Sequence, residues 1–288
     1  MKIAHEPGEL EPVERAVTIG SFDGVHLGHR RVLETAGAAG SRLTVVTFWP
    51  HPRLVLGNQV ELLCTLERRL ELFDHEGVDE VLLVEFTPEL ARLEPAEFAA
   101  KILRPIGTRT LAVGENFRFG RSAVGTPTDL LELGFEVQAV PLLQDVSSTR
   151  LRACLCAGEV EAAARMLGRP PEIEGTVVPG FQRGGTLGYP TANLSVPANV
   201  LVPGHGIYAG ATLGHRAAVS IGVNPHYRGN ERSVEPYLLD FEGDLYGRRL
   251  VVELWRRLRD ERAFANESEL VAQIARDVEE TRAAQRPV

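Results

Sequence analysis

Residues 20–30, GSFDGVHLGHR, decide how this chain is read. An apolar run ahead of them, Ala16, Val17 and Ile19, predicts a short buried strand, and residues 30–39 behind them are compatible with a helix. A strand, a glycine-rich turn and a helix in that order present backbone N–H groups and the positive end of a helix dipole to a phosphate. Gly20, Gly24 and Gly28 allow close backbone approach or positive φ. His26 and His29 stand three residues apart and become neighbours if the helix starts at the turn. Two imidazoles beside a helix N-terminus can donate to phosphate oxygens, which makes this a candidate nucleotide site. The same H-x-x-H spacing also suits two surface histidines or half of a metal site. No second cysteine or histidine cluster completes a ligand set nearby, which argues against zinc.

The composition sets the frame for that reading. A chain of 288 residues is comfortable for two domains, and 44% hydrophobic with 24% charged residues is ordinary for a globular protein. A net charge of −8 argues against a nucleic-acid partner but leaves room for a local basic pocket. Three cysteines, Cys64, Cys154 and Cys156, lack framework spacing and predict a reducing cytoplasm. The opening MKIAHEPGELEPVE lacks the apolar core of a signal peptide, and no run reaches the length of a membrane span. A cytoplasmic protein with no membrane partner is expected.

From Glu14 to about Pro141 the chain alternates. Apolar runs at residues 43–48, 81–84, 111–113 and 135–140 read as strands, and residues 65–76, 94–103 and 128–133 as helices. Such alternation predicts βαβ crossovers and a mainly parallel, Rossmann-like sheet with ligands at the carboxyl ends of its strands. Three polar segments follow strand ends besides the first turn. They are TFWPHPR at 47–53, GENFRFG at 114–120, with Asn116 between charged and aromatic residues, and SSTRLR at 147–152, which opens a helix expected to run to residue 167. Taken alone, the last is an N-cap followed by a solvated basic turn.

Beyond Gly168-Arg169-Pro170-Pro171, which cannot continue a helix, the pattern changes to short strands at 173–178, 207–212, 217–223, 234–241 and 250–255. A small antiparallel barrel is expected there, closed by a helix over 267–284 with Asn266 and Glu269 at its start and Leu270, Ile274 and Val278 packing on the barrel. The boundary falls between residues 1–169 and 172–288. Residues 184–193, GGTLGYPTAN, form a glycine-rich loop, yet no Walker A sequence occurs anywhere in the chain. Gly204-x-Gly206-x-x-Ala209 precedes a strand rather than a helix, so it is not a dinucleotide fingerprint.

Four of these segments together resemble one family. G-x-F-D-G-V-H-x-G-H is similar to the HxGH signature of nucleotidylyltransferases. With T-F-x-P-H-P, V-G-x-[DN]-F-R-F-G and S-S-T-x-I-R in the same order, it resembles the bifunctional riboflavin kinase/FMN adenylyltransferase family. G-x-x-L-G-[YF]-P-T-A-N resembles the flavokinase signature of the same family. The resemblance spans roughly residues 17–282. Two positions depart from the pattern: Trp49 stands where an acidic residue is common, and Asn116 where many members have Asp.

The resemblance implies an HxGH-type α/β domain followed by a flavokinase barrel with a C-terminal helix. It places ATP at Gly20, Phe22, Asp23, Gly24, His26, Gly28, His29, Ser148, Thr149 and Arg152, with Asn116 in the same active site. In the second half it implies Gly185 and Gly188 in the nucleotide loop, Thr191 and Asn193 on Mg²⁺ and ATP phosphates, and Glu235 as the catalytic base. First-domain aromatics near Phe48, Phe117 and Phe119 are suggested for the flavin ring, with core packing an equal account of them. The implied reactants are riboflavin, FMN, FAD, ATP, ADP and pyrophosphate. Another HxGH-type nucleotidylyltransferase would account for the first turn but not for PTAN and DLYG, and a non-catalytic flavin-binding regulator would not need His26, His29, Asn193 and Glu235. Self-assembly is left open.

Overall fold

A computed structural model describes residues 1–180, 188–223 and 232–287. The chain forms two compact units, Met1–Val60 with Leu66–Val146, and Glu61–Thr65 with Ser147–Val288.

The first unit is built on a parallel sheet of β1 (Lys2–Ala4), β2 (Arg15–Ile19), β3 (Arg42–Trp49), β4 (Glu80–Glu85), β5 (Thr108–Gly114) and β6 (Glu136–Val140), in the order β1-β4-β3-β2-β5-β6. Alternate residues divide between two cores, as the period of a strand requires. Val17, Ile19, Val46, Leu82 and Leu111 pack with Phe98, Ile102 and Leu103 on one face. Ala16, Val45, Val81, Leu83 and Ala112 pack on the other with Val32, Leu33 and Ala36 of α1 (Leu27–Gly37) and Leu72 and Phe73 of α3 (Leu66–His75). A one-turn helix α2 (Pro52–Val55) separates β3 from α3. From β2 the chain moves to β3 and β4 on one side, then returns to place β5 on the other. The turn after β2 therefore lies at the point where strand order reverses, the usual place for a ligand in such sheets.

Several bounds differ from the sequence reading for local reasons. Helix α1 begins at Leu27, three residues early, because His26 caps it. The expected helix over 94–103 is a single turn, α4 (Pro95–Phe98), continued as a π-helical turn, Ala99–Leu103. Helix α5 (Pro127–Glu132) starts from Thr126, whose Oγ1 accepts from the Asp129 N–H. The expected helix ending at residue 167 is two helices, α6 (Ser148–Cys156) and α7 (Val160–Leu167). Gly158 breaks them at φ +76°, where a Cβ would come 2.7 Å from the Tyr208 hydroxyl.

The second unit holds α6, α7 and an antiparallel sheet of β7 (Glu172–Val178), β8 (Asn193–Ser195), β9 (Gly206–Thr212), β10 (His215–Val223), β11 (Arg232–Leu238) and β12 (Arg249–Arg259). The order is β11-β10-β9-β12-β7-β8, and the Ala192 N–H donates to Pro236 O over 3.0 Å to bring the two edges together. The result is a nearly closed barrel. Strand β12 runs four residues past the expected end because Arg256, Arg257 and Arg259 still pair with β9, across register shifts. Helix α8 (Glu267–Ala283) follows, with Asn266 Oδ1 accepting from the Glu269 N–H at 2.9 Å. Its buried positions are Gln273, Asp277, Val278 and Thr281, while Leu270 and Ile274 are only half-buried. Of the expected apolar stripe, Val278 alone is core.

At the amino end of the first sheet, fully buried Arg15 meets Glu80 at 2.8 Å, with Arg42 at 3.1 Å and the Thr44 hydroxyl at 3.1 Å on the same carboxylate. Burial alone would raise the Glu80 pKa, but the hydrogen bond and charge of Arg15, then Arg42 and Thr44, hold it below the ordinary 4.5. Glu80→Gln leaves Arg15 buried without its counter-charge and should cost about 3–5 kcal/mol. A carboxylate with a depressed folded-state pKa contributes stability above 4.5 that is lost as pH falls through the lower value. The gap between wild type and variant should therefore shrink as pH drops from about 6 to about 3. Urea unfolding followed by Trp49 fluorescence in a Trp255→Phe background measures it, and a gap that stays constant over that range contradicts the assignment.

Candidate functional site

The first candidate site grows out of the N-terminus of α1. His26 Nδ1 accepts from the His29 backbone N–H at 3.2 Å, filling one of the donor positions that a helix start leaves open. An accepting Nδ1 carries no proton, so a proton on this ring sits on Nε2. A Cβ on Gly28 would come 3.2 Å from both Nδ1 and Cε1 of His26, so the glycine gives the ring its place. The two imidazoles stack, with centroids 3.6 Å apart and planes 13° from parallel, and the Phe22 ring meets His29 edge-on at 5.2 Å. The loop that delivers them is bent hard, with positive φ at Phe22 (49°) and Val25 (39°) as well as at Gly24 (80°).

Burial, then the neighbouring His26 and Arg69, push the His29 pKa well below 6.5, so the ring is neutral at physiological pH. Its Nδ1 is shut from solvent and has no hydrogen-bond partner. An orphaned polar atom of this kind costs about 1–3 kcal/mol unless a ligand satisfies it. Arg69, itself buried, donates to Ser21 O at 2.5 Å and to Phe48 O at 3.2 Å, and lies 5.7 Å over the Trp49 ring. It ties the turn after β2 to the end of β3.

The other residues expected in this site have separate placements. Gly20 packs under the Phe22 ring, and Asp23 is buried. Asn116 is exposed just past the end of β5, the strand beside β2, and a Cβ on Gly114 would come 3.2 Å from its Oδ1. Ser148, Thr149 and Arg152 belong to the second unit, in the first turns of α6, where Ser147 is the cap and Arg152 Nε donates to Glu61 O at 2.6 Å. Phe48 and Phe119 are core residues beside Phe98, and Phe117 stacks on Phe119 at 5.7 Å. Core packing is therefore the account of Phe48 and Phe119.

The second candidate site is a cavity of about 350 Å³ in the barrel unit. Glu235 of β11, Thr191, Ser220, the rings of Tyr189 and Tyr237, and Leu270 and Ile274 of α8 face it. The apolar stripe of α8 is thus a cavity wall. The Thr191 hydroxyl lies 3.5 Å from Glu235 Oε2 in a long hydrogen bond. Burial pushes the Glu235 pKa up, the nearby Glu261 adds to it, and hydrogen bonds from Thr191 and Ser233 oppose it. Sequence reasoning missed Glu261, Phe264 and the two tyrosines. Glu261 and Arg262 are exposed, and only the fold places them at the cavity.

Asn193 opens β8, and its amide occupies the space that a Cβ on Gly180 would fill. Among the described residues no three His, Cys, Asp or Glu side chains gather to hold a metal. Thr191 and Asn193 offer neutral hard oxygens instead, a donor set that fits Mg²⁺ completing its shell with water and phosphate. Gly188 has φ +84° with open space around it, and Gly185 lies outside the described residues.

A stacked imidazole pair at a sheet's switch point and a carboxylate of raised pKa in a barrel cavity make two candidate sites for chemistry on phosphates. The profile of a family described as FAD synthetase matches residues 9–150, and one described as riboflavin kinase matches residues 167–285. The bifunctional riboflavin kinase/FMN adenylyltransferase of Listeria monocytogenes is 35% identical over 96% of this chain and 94% of its own length. Its counterpart from Bacillus subtilis is 34% identical over 94% of this chain and 92% of its own length. A solved structure described as a macrolide-efflux protein from Streptococcus pneumoniae is similar with a TM-score of 0.88 at 30% identity, covering 97% of this chain and 98% of that one. The chain belongs to the bifunctional riboflavin kinase/FMN adenylyltransferase family. Among the described residues no helix is long and apolar enough to cross a membrane.

The electrostatics of His29 can be read directly. In a ligand-free ¹H–¹³C titration its Cε1–H should shift with a midpoint well below 6.5. A midpoint at or above that value would show the ring to be solvated rather than packed between His26 and Phe22.

Proposed function

We propose that the barrel unit transfers the γ-phosphoryl of ATP to the 5′-hydroxyl of riboflavin, giving FMN and ADP, and that the first unit joins FMN to the adenylyl group of a second ATP, giving FAD and pyrophosphate. The observation that carries the reading is Glu235, a half-buried carboxylate of raised pKa facing a cavity of flavin size. Riboflavin's hydroxyl is a neutral nucleophile. It needs an acceptor for its proton as its oxygen bonds to phosphorus, and a carboxylate moved up toward neutrality suits that task. Tyr189, Tyr237, Leu270 and Ile274 give the ring system apolar surface. Thr191 and Asn193 would hold Mg²⁺, which would supply neutralisation of charge on the ATP phosphates.

The other reaction has a different requirement. The FMN phosphate arrives largely as a dianion, so no base is needed to make it a nucleophile. It must be held in line with the α-phosphorus while charge builds on the departing pyrophosphate, and fixed donors serve that purpose. His26 and His29 supply them at the start of α1, where the helix dipole also favours the anion. The partnerless Nδ1 of His29 supports this assignment. Asn116, one strand away, completes the group on that unit. The family motif assigns Ser148, Thr149 and Arg152 to ATP phosphates as well, a role that rests on the motif. Free thiols at Cys64, Cys154 and Cys156 agree with a reducing, cytoplasmic setting.

Two initial rates on the full chain test the reading, ADP release from riboflavin and pyrophosphate release from FMN. Glu235→Gln keeps the shape and removes the proton acceptor, so it should slow the first by roughly 10²–10⁴ and leave the second near wild type. His29→Ala should do the converse, slowing pyrophosphate release by on the order of 10²–10³. A Glu235→Gln protein that still phosphorylates riboflavin at a near-normal rate moves the base elsewhere. Equal loss of both rates in His29→Ala, with the fold intact, defeats the division of labour.

A further inference from the structure

Among the described residues, two carboxylates facing the barrel cavity, Glu261 and Asp277, have no task in the mechanism above, and Asp277 is held by Arg259. Glu261 lies two residues past the end of β12. Its place is prepared. A Cβ on Gly222 would come 2.7 Å from the Glu261 Cδ, so the glycine of β10 makes room for the carboxylate. In the β10–β11 ladder Gly222 is opposite Ser233, and Ser220 is opposite Glu235. Positions two apart on a strand share a face, so Glu261 covers the same surface from which Glu235 projects. The two arginines that face the cavity differ in their partners. Arg259 forms a bidentate pair with Asp277, at 2.9 and 2.7 Å, and Arg262 donates to Gln273 Oε1 at 2.7 Å. Among the described residues no hydrogen bond or ion pair engages Glu261.

We propose that Glu261 is a specificity-determining residue of this cavity, whose carboxylate distinguishes the neutral flavin alcohol from the phosphorylated flavin and disfavours the latter. The inference rests on the assignment of the cavity to riboflavin phosphorylation. A carboxylate accepts hydrogen bonds and donates none, so it is compatible with the hydroxyls of a neutral polyol chain. Once the 5′-oxygen carries a phosphate, that group stands beside Glu235 and within the field of Glu261. Like charges repel, and although Glu261 is exposed, its carboxylate packs on Gly222 on the surface from which Glu235 projects. The product is therefore held more weakly than the substrate, although it contains every atom of the substrate except the transferred proton. The first unit, which consumes that product, gains from its release.

Product inhibition reads this directly, with ADP release from riboflavin measured in the presence of added FMN so that pyrophosphate from the other reaction is not counted. In Glu261→Gln the inhibition constant for FMN should fall by about 3- to 10-fold, more than the KM for riboflavin moves, the size expected for one partly exposed charge. Added salt should strengthen FMN inhibition of the wild type and act less on the variant, because screening weakens the repulsion. Glu261→Asp keeps the charge and should stay closer to wild type. ADP release from riboflavin without added FMN reports that the barrel of each Glu261 variant is folded. FMN inhibition unchanged in Glu261→Gln, while Glu235→Gln still abolishes phosphorylation, overturns the role of Glu261 alone. If neither substitution affects ADP release from riboflavin, the assignment of the cavity falls with it.

Discussion

The hydrogen bond from the His29 N–H to His26 Nδ1 is the interaction on which the first site depends. It starts a helix and, in the same act, fixes the tautomer and plane of one imidazole so that the other can stack on it at 3.6 Å. The bond forms because Gly28 has no side chain to occupy the space under the ring. The costs are visible nearby. Phe22 and Val25 take positive φ, and His29 Nδ1 is buried without a partner. Strain and an unsatisfied donor or acceptor persist in a folded protein when the surroundings over-determine them, here through the parallel sheet that reverses its order at β2. A nucleotide can recover part of that cost by supplying the missing partner.

The barrel meets a different chemical demand with different means. Its Glu235 is held in a partly dry place, where burial raises its affinity for a proton and Thr191 and Ser233 limit the effect. A fully solvated carboxylate would be a weak base, and a fully buried one would not ionise. The intermediate exposure of the residue raises its proton affinity while leaving it able to exchange a proton. On the proposed roles, the two units differ in residue type because of the charge that each nucleophile brings with it.

Much of this was legible in the sequence because it was periodic or local. The alternation that divides Val17 and Ile19 from Ala16 is a property of strands and survives into both cores of the sheet. The cap at Asn266 is short-range and stands in the structure. What escaped depended on contacts distant in sequence. The break at Gly158 comes from Tyr208, fifty residues later. Arg69 sits within an ordinary helical pattern, yet it is buried because two carbonyls, of Ser21 and Phe48, receive it. Glu235 could be singled out by resemblance to a signature, whereas Glu261 lay in a charge run and acquired meaning only from its packing on Gly222.

The C-terminal helix shows why a hydrophobic stripe does not by itself specify a core. α8 is fastened to the barrel mainly through polar contacts along its buried face and its last turns. Asp277 takes Arg259, Asp240 takes Arg282 at 2.6 Å, and Arg216 donates to Thr281 O at 3.0 Å while lying over the Trp255 ring. With docking assigned to these directional contacts, Leu270 and Ile274 need not be consumed in packing and remain half-buried at the cavity wall. A buried pair such as Arg259–Asp277 adds little net stability compared with well-packed apolar side chains, but breaking it is costly, so it fixes where the helix lies. The arrangement exchanges some stability for an apolar surface held in register with Glu235, which a helix docked on its own leucines could not present.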